Sequence, residues 1–549
     1  MTRRRILPIV FISVLIAISA VLYHKITLSI PFPIFSRVTM MTAPNPPPVI
    51  VVGAGLAGLS AAFAALQSGA ASVRLLERNA KPGGNSIKAS SGINGAPTRF
   101  QNAAKYGTDR SFWDDTVRSA GSALHTSTVA EPARKHRETL ISALTNRSAA
   151  AIDFLVDDLG IDLSVVSQLG GHSLPRTHRG AGKTPPGAAI VTTLLAKIKE
   201  LGGDRFQLMT DCEVTRLLVT DDHGPRVTGV EYRKLKALSS DSGTQQLHGP
   251  VVFTTGGFAG DAHGLLATYR PDLGGLPSTN DPRPGTHALL AEVGARLVDM
   301  DRVQIHPTGF VDPATTRARL KFLAAEMLRG EGAVLLHKGK RFVDELGTRE
   351  KVSAAIMALP EAEAEESAGP AGEGDGKDKD GEEEAVRQWD VRLLLDPGAC
   401  EAAQAHVGFY LWKGLLRKVK VRELDEVTKA TLREYSSVVK GEKPDEFGRT
   451  AFGQWRLAAE DLDGEGDVEV CVGRVTPIVH FTMGGAVFNE RAQILRSDLG
   501  EEEKPIEGLW GAGEITGGLH GDNRLGGSSL LECVVFGRIA GEQAARLRG

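Results

Sequence analysis

The chain has 549 residues, of which 42% are hydrophobic and 24% are charged. This length is sufficient for two or more domains, each with its own core. The net charge of −3 argues against a nucleic-acid partner, which usually requires a basic face. The four cysteines form no CxxC or CxxCH pattern, which excludes iron–sulfur, zinc-ribbon and c-type haem sites built on those motifs. We expect them to be mostly free thiols.

The N-terminus combines a basic start with an apolar run. Arginines at positions 3–5 precede the apolar run 6–23, and no acidic residue occurs before Glu77. A run of this length is long for a cleaved signal peptide and just spans a bilayer, with its basic flank in the cytoplasm. We therefore predict an endoplasmic-reticulum signal or signal-anchor, with a mitochondrial presequence as the alternative. Residues 1–46, which end in a Pro-rich linker, lie outside the predicted fold, and membrane contact is expected only there.

The first predicted elements are strand, helix and strand. Residues 48–53 (PVIVVG) form a short continuous apolar run, which predicts a buried parallel strand. The small-residue segment AGLSAAFAALQSG predicts a helix, and SVRLLE predicts a second strand that ends at Glu77. This order is the βαβ unit that opens many α/β domains.

The turn after the first strand carries a dinucleotide-binding pattern. Gly53, Gly55 and Gly58 in VVGAGLAG match G-x-G-x-x-G. The first glycine permits the tight turn, the second admits the pyrophosphate, and the third lets helix and strand pack closely. Glu77, at the end of the next strand, is positioned to accept hydrogen bonds from ribose hydroxyls. The combination predicts a dinucleotide site.

The remaining elements follow along the chain. Residues 100–165 are predicted to be helical, and the alternating pattern at 213–233 predicts an antiparallel hairpin. The run 251–260 predicts another buried strand that enters a glycine turn. Residues 361–385 are acidic, with Gly and Pro and no large apolar side chain, so we expect a solvated flexible loop.

Two glycine-rich segments indicate which dinucleotide binds. The run KPGGNSIKASSGING (81–95) would be needless for NAD and resembles the flavin-wrapping loop of FAD enzymes. The segment 511–530 resembles their C-terminal flavin-contacting segment. FAD is therefore the predicted cofactor. The residues predicted to bind it are Gly53, Gly55, Gly58, Glu77, Arg78, Gly84, Asn85, Ser86, Ser90, Ser91, Gly92, Gly256, Gly257, Glu514, Gly527, Ser529 and Leu530.

Five motifs occur in a fixed order: GAGLAG, QIHPTG, AAEMLRGEGAVLL with GKRFVDELGTRE, VHFTMGG, and GAGEITGGLHGDNRLGG. Together they resemble the fumarate reductase/succinate dehydrogenase flavoprotein family, most closely its soluble single-subunit fungal members. The resemblance implies an α/β fold with a Rossmann-type FAD-binding domain (47–300 and 481–549) and an inserted α+β capping domain (301–480). The substrate would lie in the cleft between them, closed from water by the cap.

The resemblance also implies roles for six residues of the cleft. His306, His480 and Arg524 would bind the substrate carboxylates, and a guanidinium suits this because it grips a carboxylate through two parallel hydrogen bonds. Arg349 would protonate an alkene carbon. Glu326 and Arg329, three residues apart, would relay protons from solvent. Arg341 in GKRF is the rival for the acid role of Arg349.

The implied reaction is the reduction of fumarate to succinate. No haem or iron–sulfur motif is recognised, so we expect an external electron donor such as free reduced flavin (FMNH2 or FADH2). Two alternatives remain open: a reductase of another α,β-unsaturated acid or an L-aspartate oxidase-like enzyme, and a non-enzymatic, membrane-tethered flavin-binding protein.

Three positions depart from the family pattern. Ser86 stands where membrane-bound relatives carry the histidine that attaches FAD, so FAD is expected to be non-covalent. Ala325 stands where relatives often carry a hydroxyl that touches the substrate. Phe481 follows His480 where relatives carry Tyr or His, which changes the surroundings of the flavin.

Overall fold

The computed structural model describes residues 46–126, 129–220, 224–236, 243–362, 386–463, 467–496 and 503–547. The predicted N-terminal anchor and nearly all of the predicted acidic loop at 361–385 lie outside these ranges. Within the described ranges, no helix has both the length and the apolar character needed to cross a membrane. The description below concerns the unit formed by residues 47–549.

The structure contains mixed helices and strands. The strands in chain order are β1 (Val49–Val52), β2 (Val73–Leu76), β3 (Ile93–Asn94), β4 (Val165–Ser167), β5 (Thr177–Arg179), β6 (Phe206–Met209), β7 (Cys212–Thr220), β8 (Arg226–Lys234), β9 (Gln245–His248), β10 (Val251–Phe253), β11 (Leu297–Val298), β12 (Val303–Phe310), β13 (Phe322–Leu323), β14 (Val334–Leu336), β15 (Val391–Leu395), β16 (Arg417–Lys420), β17 (Glu469–Thr482), β18 (Gly485–Val487), β19 (Gln493–Arg496), β20 (Lys504–Gly511) and β21 (Thr516–Gly517). The helices are α1 (Leu56–Gln67), α2 (Ala103–Tyr106), α3 (Phe112–Ala120), α4 (Ser122–His125), α5 (Glu131–Asn146), α6 (Ser148–Asp153), α7 (Pro186–Gly202), α8 (Leu265–Tyr269), α9 (His287–Ala291), α10 (Met327–Gly330), α11 (Arg349–Met357), α12 (Pro397–Ala402), α13 (Gln404–Trp412), α14 (Glu426–Val439), α15 (Ala459–Asp463) and α16 (Ser528–Arg546).

The largest sheet has the strand order β6-β2-β1-β10-β20-β8-β7. Its central strands are parallel: β1 pairs with β2 and β10, and β10 pairs with β20. All four residues of β1 are buried, which explains its unbroken apolar sequence, since a parallel strand is covered on both faces. The chain leaves β1 to reach neighbours on both sides, and ligands of α/β sheets bind at such a reversal of strand order.

The elements predicted for this part of the chain are present. The predicted βαβ unit is β1-α1-β2, and the predicted hairpin is the antiparallel pair β7 and β8. The region 100–165 contains five helices and a π-helical turn, Phe154–Asp158. Helix α16 returns the C-terminal segment to pack against α1.

A second sheet of six strands is drawn from residues between 303 and 482. Its order is β13-β12-β17-β15-β14, with β16 on the edge of β17. β12 runs antiparallel to β17, which aligns His306 with Ile478 and Gln304 with Phe481. Two motifs that are far apart in sequence, QIHPTG and VHFTMGG, therefore lie side by side. The predicted domain boundaries at 300 and 480 stay predictions.

Candidate active site

A cavity of about 1700 Å³ runs from the carboxyl end of β1 to the second sheet. Its size exceeds the roughly 300–1,000 Å³ typical of drug-sized ligands, so it has room for an extended dinucleotide and a small acid. Of the predicted cofactor-binding residues, all except Gly58 line it. Of the six residues predicted for chemistry and substrate, Arg349, His480 and Arg524 line it, whereas His306, Glu326 and Arg329 lie behind its wall.

The three glycines of the first turn have different surroundings. Gly53 has a φ of 100°, and a Cβ there would lie 2.5 Å from the Thr254 carbonyl oxygen. A Cβ on Gly58 would lie 1.9 Å from the Gly53 carbonyl oxygen, so Gly58 lets α1 rest directly on the turn. At Gly55, the nearest atom to a Cβ is Ser86 Oγ at 3.8 Å, and the space beyond is cavity. An open cradle in front of a helix N-terminus fits a pyrophosphate.

Glu77 is fixed at the end of β2. Its Oε2 accepts a hydrogen bond from the Ala54 N–H and its Oε1 from the Asn79 N–H, both at 2.8 Å. The side chain is buried and lines the cavity. Since a carboxylate has about four acceptor positions, it retains capacity for ribose hydroxyls.

Glu514 also lines the cavity, next to Thr482 of β17. Its Oε1 accepts hydrogen bonds from the Thr482 N–H at 2.9 Å and the Thr482 hydroxyl at 3.1 Å. Burial raises the pKa of Glu514 to about 7, with a further contribution from the neighbouring Glu532. Thr482 follows His480 by two residues on β17, so Glu514 belongs to the same end of the cavity as the predicted substrate groups.

Arg349 is the first residue of α11, after Thr348, whose side chain caps the helix. Its Nε donates to Glu326 Oε2 at 2.7 Å, its Nη2 donates to the same oxygen, and its Nη1 donates to Gln304 Oε1 at 3.0 Å. A guanidinium has five N–H groups. These contacts therefore hold the group rigidly and leave one N–H on each Nη atom for a ligand in the cavity.

Glu326 joins Arg349 to Arg329. The Glu326 carboxylate lies 3.6 Å from Arg329 Nη2, and both side chains are 1% exposed. Burial acts to raise the pKa of Glu326, but the charges of Arg349 and Arg329 outweigh it and hold the pKa below its ordinary value. Arg329 Nη1 also donates to the Glu345 carbonyl oxygen at 2.5 Å. The three residues thus form a continuous ionic line leading away from the cavity.

His306 and His480 meet edge to face, with ring centroids 5.3 Å apart. Burial, and then the charge of Arg349, lowers the pKa of each well below its usual value, so both rings are neutral. The Thr308 N–H donates to His306 Nδ1 at 3.2 Å, which assigns the ring hydrogen to Nε2. His306 Nε2 is buried and finds no hydrogen-bond partner among the described residues, so it is a donor that awaits an acceptor.

Arg524 is held over the Phe481 ring, with the guanidinium carbon 4.3 Å from the ring centroid. Its Nη1 donates to the Leu525 carbonyl oxygen at 3.0 Å, and its buried Nε has no hydrogen-bond partner within the described ranges. Burial, and then the charge of Arg349, lowers the pKa of Arg524 to about 9. The group therefore stays cationic at neutral pH. Phe481 serves here as the platform for this cation.

Arg341, the rival for the acid role, lies elsewhere. Its Nε and Nη2 donate to the Glu345 carboxylate at 2.9 and 2.7 Å, and its Nη1 pairs with Asp445. Arg449 completes this buried ion cluster with a 3.0 Å contact to Glu345. Arg341 does not line the cavity, and this geometry favours Arg349.

Two residues of the site are absent from the sequence-based prediction. Gln304 accepts from Arg349, and its Nε2 donates to the Arg524 carbonyl oxygen at 2.9 Å. Its spacing of two from His306 on one strand was a usable signal, because such residues share a face. Tyr410 lines the cavity, and its hydroxyl accepts from the Ala325 N–H at 3.2 Å. A hydroxyl group therefore lies beside Ala325, and it is supplied by Tyr410 of helix α13.

Buried neutral histidines make stability depend on pH. Burial is the main cause that lowers the pKa of His172, His178 and His287 to about 4 each. Between pH 6.5 and 4 the unfolded chain binds more protons at these sites, so stability is full above pH 6.5 and falls as pH decreases. At pH 5 each of these histidines has lowered the free energy of unfolding by about 2 kcal/mol. We expect thermal melts to show a steadily lower midpoint from pH 7 to pH 5.

The variant His287→Phe tests whether buried histidines cause this pH dependence. Since both ring nitrogens of His287 are buried without a hydrogen-bond partner among the described residues, His287→Phe should make the fall in melting midpoint shallower. An unchanged pH dependence in this variant would contradict the assignment.

The comparisons with known proteins agree with this geometry. A family model described as an FAD binding domain matches residues 48–530. The fumarate reductase of Schizosaccharomyces pombe is 40% identical over 526 residues, which cover 93% of this chain and 91% of the relative. The chain belongs to the FAD-binding fumarate reductase family. Fumarate reductase 1 of Saccharomyces cerevisiae is 38% identical, over 91% of this chain and 99% of that member of the family.

A solved structure of the family extends the likeness to the fold. The open conformation of a flavocytochrome c3 fumarate reductase is 30% identical, with a TM-score of 0.62, over 91% of this chain and 78% of that one. The predicted α/β FAD-binding fold is thereby confirmed, as is FAD as the cofactor. The open cradle at Gly55 and the fixed carboxylate of Glu77 fit this dinucleotide. Among the described residues there is no cluster of His, Cys, Asp and Glu suited to a metal ion.

Proposed function

We propose that this protein is an FAD-dependent fumarate reductase that converts fumarate to succinate. The observation that carries the proposal is the group at one end of the cavity: Arg349, Arg524 and His480 face the same space, with His306 behind them. The names of the two fungal relatives support the same substrate. A flavin-binding protein without catalysis would have no need for three cationic or donor groups around an open volume.

The cofactor would be held without a covalent bond. Ser86 Oγ accepts a hydrogen bond from the Leu56 N–H at 3.2 Å, so this residue orders the start of α1 and offers no ring nitrogen for attachment. Gly53, Gly55 and the α1 N-terminus would hold the pyrophosphate, and Glu77 the ribose. Reduced FAD, when bound, supplies a hydride.

The substrate carboxylates would be bound by unused donors. Arg524 Nε, at the cavity, and His306 Nε2, directly behind the cavity-lining His480, are buried donors whose described surroundings provide no acceptor. An anion bound at this end would remove the free-energy cost of leaving these donors unpaired. Arg524 remains charged, whereas the neutral histidines donate hydrogen bonds without adding charge. Binding to two separate donor groups would hold a four-carbon diacid in a fixed orientation, which favours reaction over free encounter.

Arg349 would give its proton to the alkene carbon opposite the one that receives the hydride. A guanidinium is a weak acid with a pKa above 12, so it donates only as negative charge develops on that carbon. Its anchors on Glu326 and Gln304 fix the direction of the remaining N–H groups. A donor that is already oriented in a water-poor cavity costs little reorganisation at the moment of reaction.

Glu326 and Arg329 would return the proton to Arg349. Glu326 contacts both arginines and is ionised in the resting state, because their charges lower its pKa. Glu326 can therefore accept a proton that arrives by way of Arg329 and pass it to Arg349. Glu326→Gln, which keeps the size but not the charge, would slow this return.

We further propose free reduced flavin as the electron donor and the endoplasmic reticulum as the location. The absence of haem and iron–sulfur motifs from the sequence supports an external donor.

The basic start and the apolar run at 6–23 support the location in the endoplasmic reticulum. Imaging of a fluorescent fusion with and without residues 1–46 tests it, and mitochondrial signal that depends on those residues would favour the alternative.

The central experiment is anaerobic turnover. Photoreduced FMN is mixed with the purified holoenzyme and fumarate, and the return of oxidised-flavin absorbance is followed. We expect fumarate-dependent reoxidation with succinate as the product. Urocanate and acrylate serve as competing acceptors, and faster turnover of either would make that acid the preferred substrate in place of fumarate. L-aspartate would be an electron donor, so it is tested separately by whether it bleaches the oxidised enzyme. Reduced methyl viologen serves as a second electron donor. Activity with methyl viologen but not with FMN would reject free reduced flavin as the donor and leave fumarate reduction as the reaction.

A further inference from the structure

Two of the four cysteines meet at the end of the second sheet that is remote from His480. Cys471 lies on β17, where its backbone is paired with Leu395 of β15 and with Lys418 of β16. Cys400 lies on α12, and its Sγ is 3.7 Å from the Leu395 carbonyl oxygen. Leu395 is therefore the common neighbour of both sulfurs.

The two side chains lie on the same face of the sheet. Cys471 and Leu395 belong to one buried cluster, together with Ala399 of α12, and Cys400 packs against that cluster. The two thiols lie close enough for each to shift the pKa of the other. Both cysteines are free thiols. A helix and a strand thus place two thiols on one face of the sheet beside Leu395, and a disulfide requires such proximity.

The surroundings give the two sulfurs different properties. The neighbouring Cys400 thiol, and then the charge of Lys418, lowers the pKa of Cys471. The neighbouring Cys471 sulfur, together with burial, raises the pKa of Cys400. Cys471 is 3% exposed, whereas Cys400 is partly exposed. The accessible sulfur is therefore Cys400, and the sulfur that more readily becomes a thiolate lies directly behind it.

We propose that Cys400 and Cys471 form a reversible dithiol–disulfide site that low-molecular-weight disulfides oxidise. At mildly alkaline pH the Cys471 thiolate takes the proton of Cys400 as the Cys400 sulfur attacks a disulfide such as oxidised glutathione, forms a mixed disulfide and expels one glutathione thiolate. Cys471 then gives this proton to the expelled thiolate, attacks the Cys400 sulfur and expels the second glutathione thiolate. Two protein thiols are oxidised, one external disulfide is reduced to two thiols, and the two thiol protons pass to the products.

Two structural elements connect the Cys400–Cys471 pair to the cavity. Cys471 shares β17 with His480 and Thr482, and α12 continues through Ala403 into α13, whose first turns line the cavity. A bond between the two sulfurs would fix α12 on β17 and so restrain one wall of the cavity. The other two cysteines lie on β7 and α16, and neither has a thiol neighbour within the described ranges.

The test uses the purified holoenzyme and oxidised glutathione at mildly alkaline pH. Free thiols are then counted in denaturant after an acid quench, and the digest is mapped by mass spectrometry. We expect the count to fall from four to two, with one peptide cross-link between Cys400 and Cys471 and full reversal by dithiothreitol. Four remaining thiols, or a cross-link between other cysteines, would overturn the proposal.

Variants separate the two sulfurs. Cys471→Ser should accumulate a glutathione adduct on Cys400, because the resolving sulfur is gone, and Cys400→Ser should give no internal disulfide. Cys212→Ser is the matched control and should still form the cross-link, with the thiol count falling from three to one. A stable glutathione adduct on Cys400 in the wild-type protein would show that Cys471 does not resolve it and would contradict the proposal.

Discussion

Replacing Arg349 by alanine is expected to abolish fumarate reduction while FAD stays bound. General acid catalysis by a positioned side chain contributes about 10²- to 10⁴-fold, and no other cavity-lining cation is anchored to both Glu326 and Gln304 in the described structure. The measurement is the rate at which fumarate reoxidises the reduced enzyme in a single turnover. Bound FAD is quantified from its absorbance in the same sample.

Three comparisons distinguish an acid from a merely structural residue. Arg349→Gln keeps a hydrogen bond to Glu326 without a positive charge, and it should be as inactive as the alanine variant if proton donation is the role. Succinate affinity, measured by perturbation of the flavin spectrum, should change far less than the rate. Arg341→Lys retains the charge beside Glu345 and should keep turnover within a few-fold. Normal turnover in Arg349→Ala, or its loss in a well-folded Arg341→Lys, would reverse the assignment.

The features that sequence predicts best depend on neighbours along the chain. The turn at Gly53 needs a positive φ, and the contact of Gly58 with that turn arises within six residues; both follow from the G-x-G-x-x-G spacing. Glu326 and Arg329 are also local, at three residues apart on one helical turn. The hairpin β7–β8 appears in the alternation of its own side chains. In each case the responsible interaction is short in sequence.

The features that sequence does not predict depend on distant pairings. Gln304 reaches Arg349 across 45 residues, and the hydroxyl beside Ala325 comes from Tyr410, 85 residues away. The spacing of Gln304 from His306 indicates a shared face, but it does not reveal Arg349 as the partner, and the contact of Tyr410 leaves no spacing signal at all. The ion cluster of Arg341, Glu345 and Arg449 also joins two remote segments. It makes Arg341 a structural cation, which the motif GKRF alone could not distinguish from an acid.

Gly55→Val is expected to give a folded protein without yellow colour. The backbone at Gly55 has a φ of −74°, which any residue adopts. The nearest atom to an added Cβ is Ser86 Oγ at 3.8 Å, which is ordinary contact. The valine methyls would instead occupy the cavity in front of the α1 N-terminus, where the pyrophosphate would lie. Because FAD stabilises only the folded state, its loss should also lower the thermal midpoint of the variant.

Neighbouring glycines make the experiment specific. Gly58→Val would collide with the Gly53 carbonyl oxygen at 1.9 Å, so its failure to bind FAD would report misfolding and not the phosphate site. Gly243→Val is the matched control, since a Cβ there meets no atom within 4 Å and the residue does not line the cavity; it should remain yellow. Circular dichroism of Gly55→Val should match that of wild-type protein from which FAD has been removed. A yellow Gly55→Val protein with full FAD content would mean that the pyrophosphate does not approach this turn, and the assignment of the phosphate site to the α1 N-terminus would be wrong.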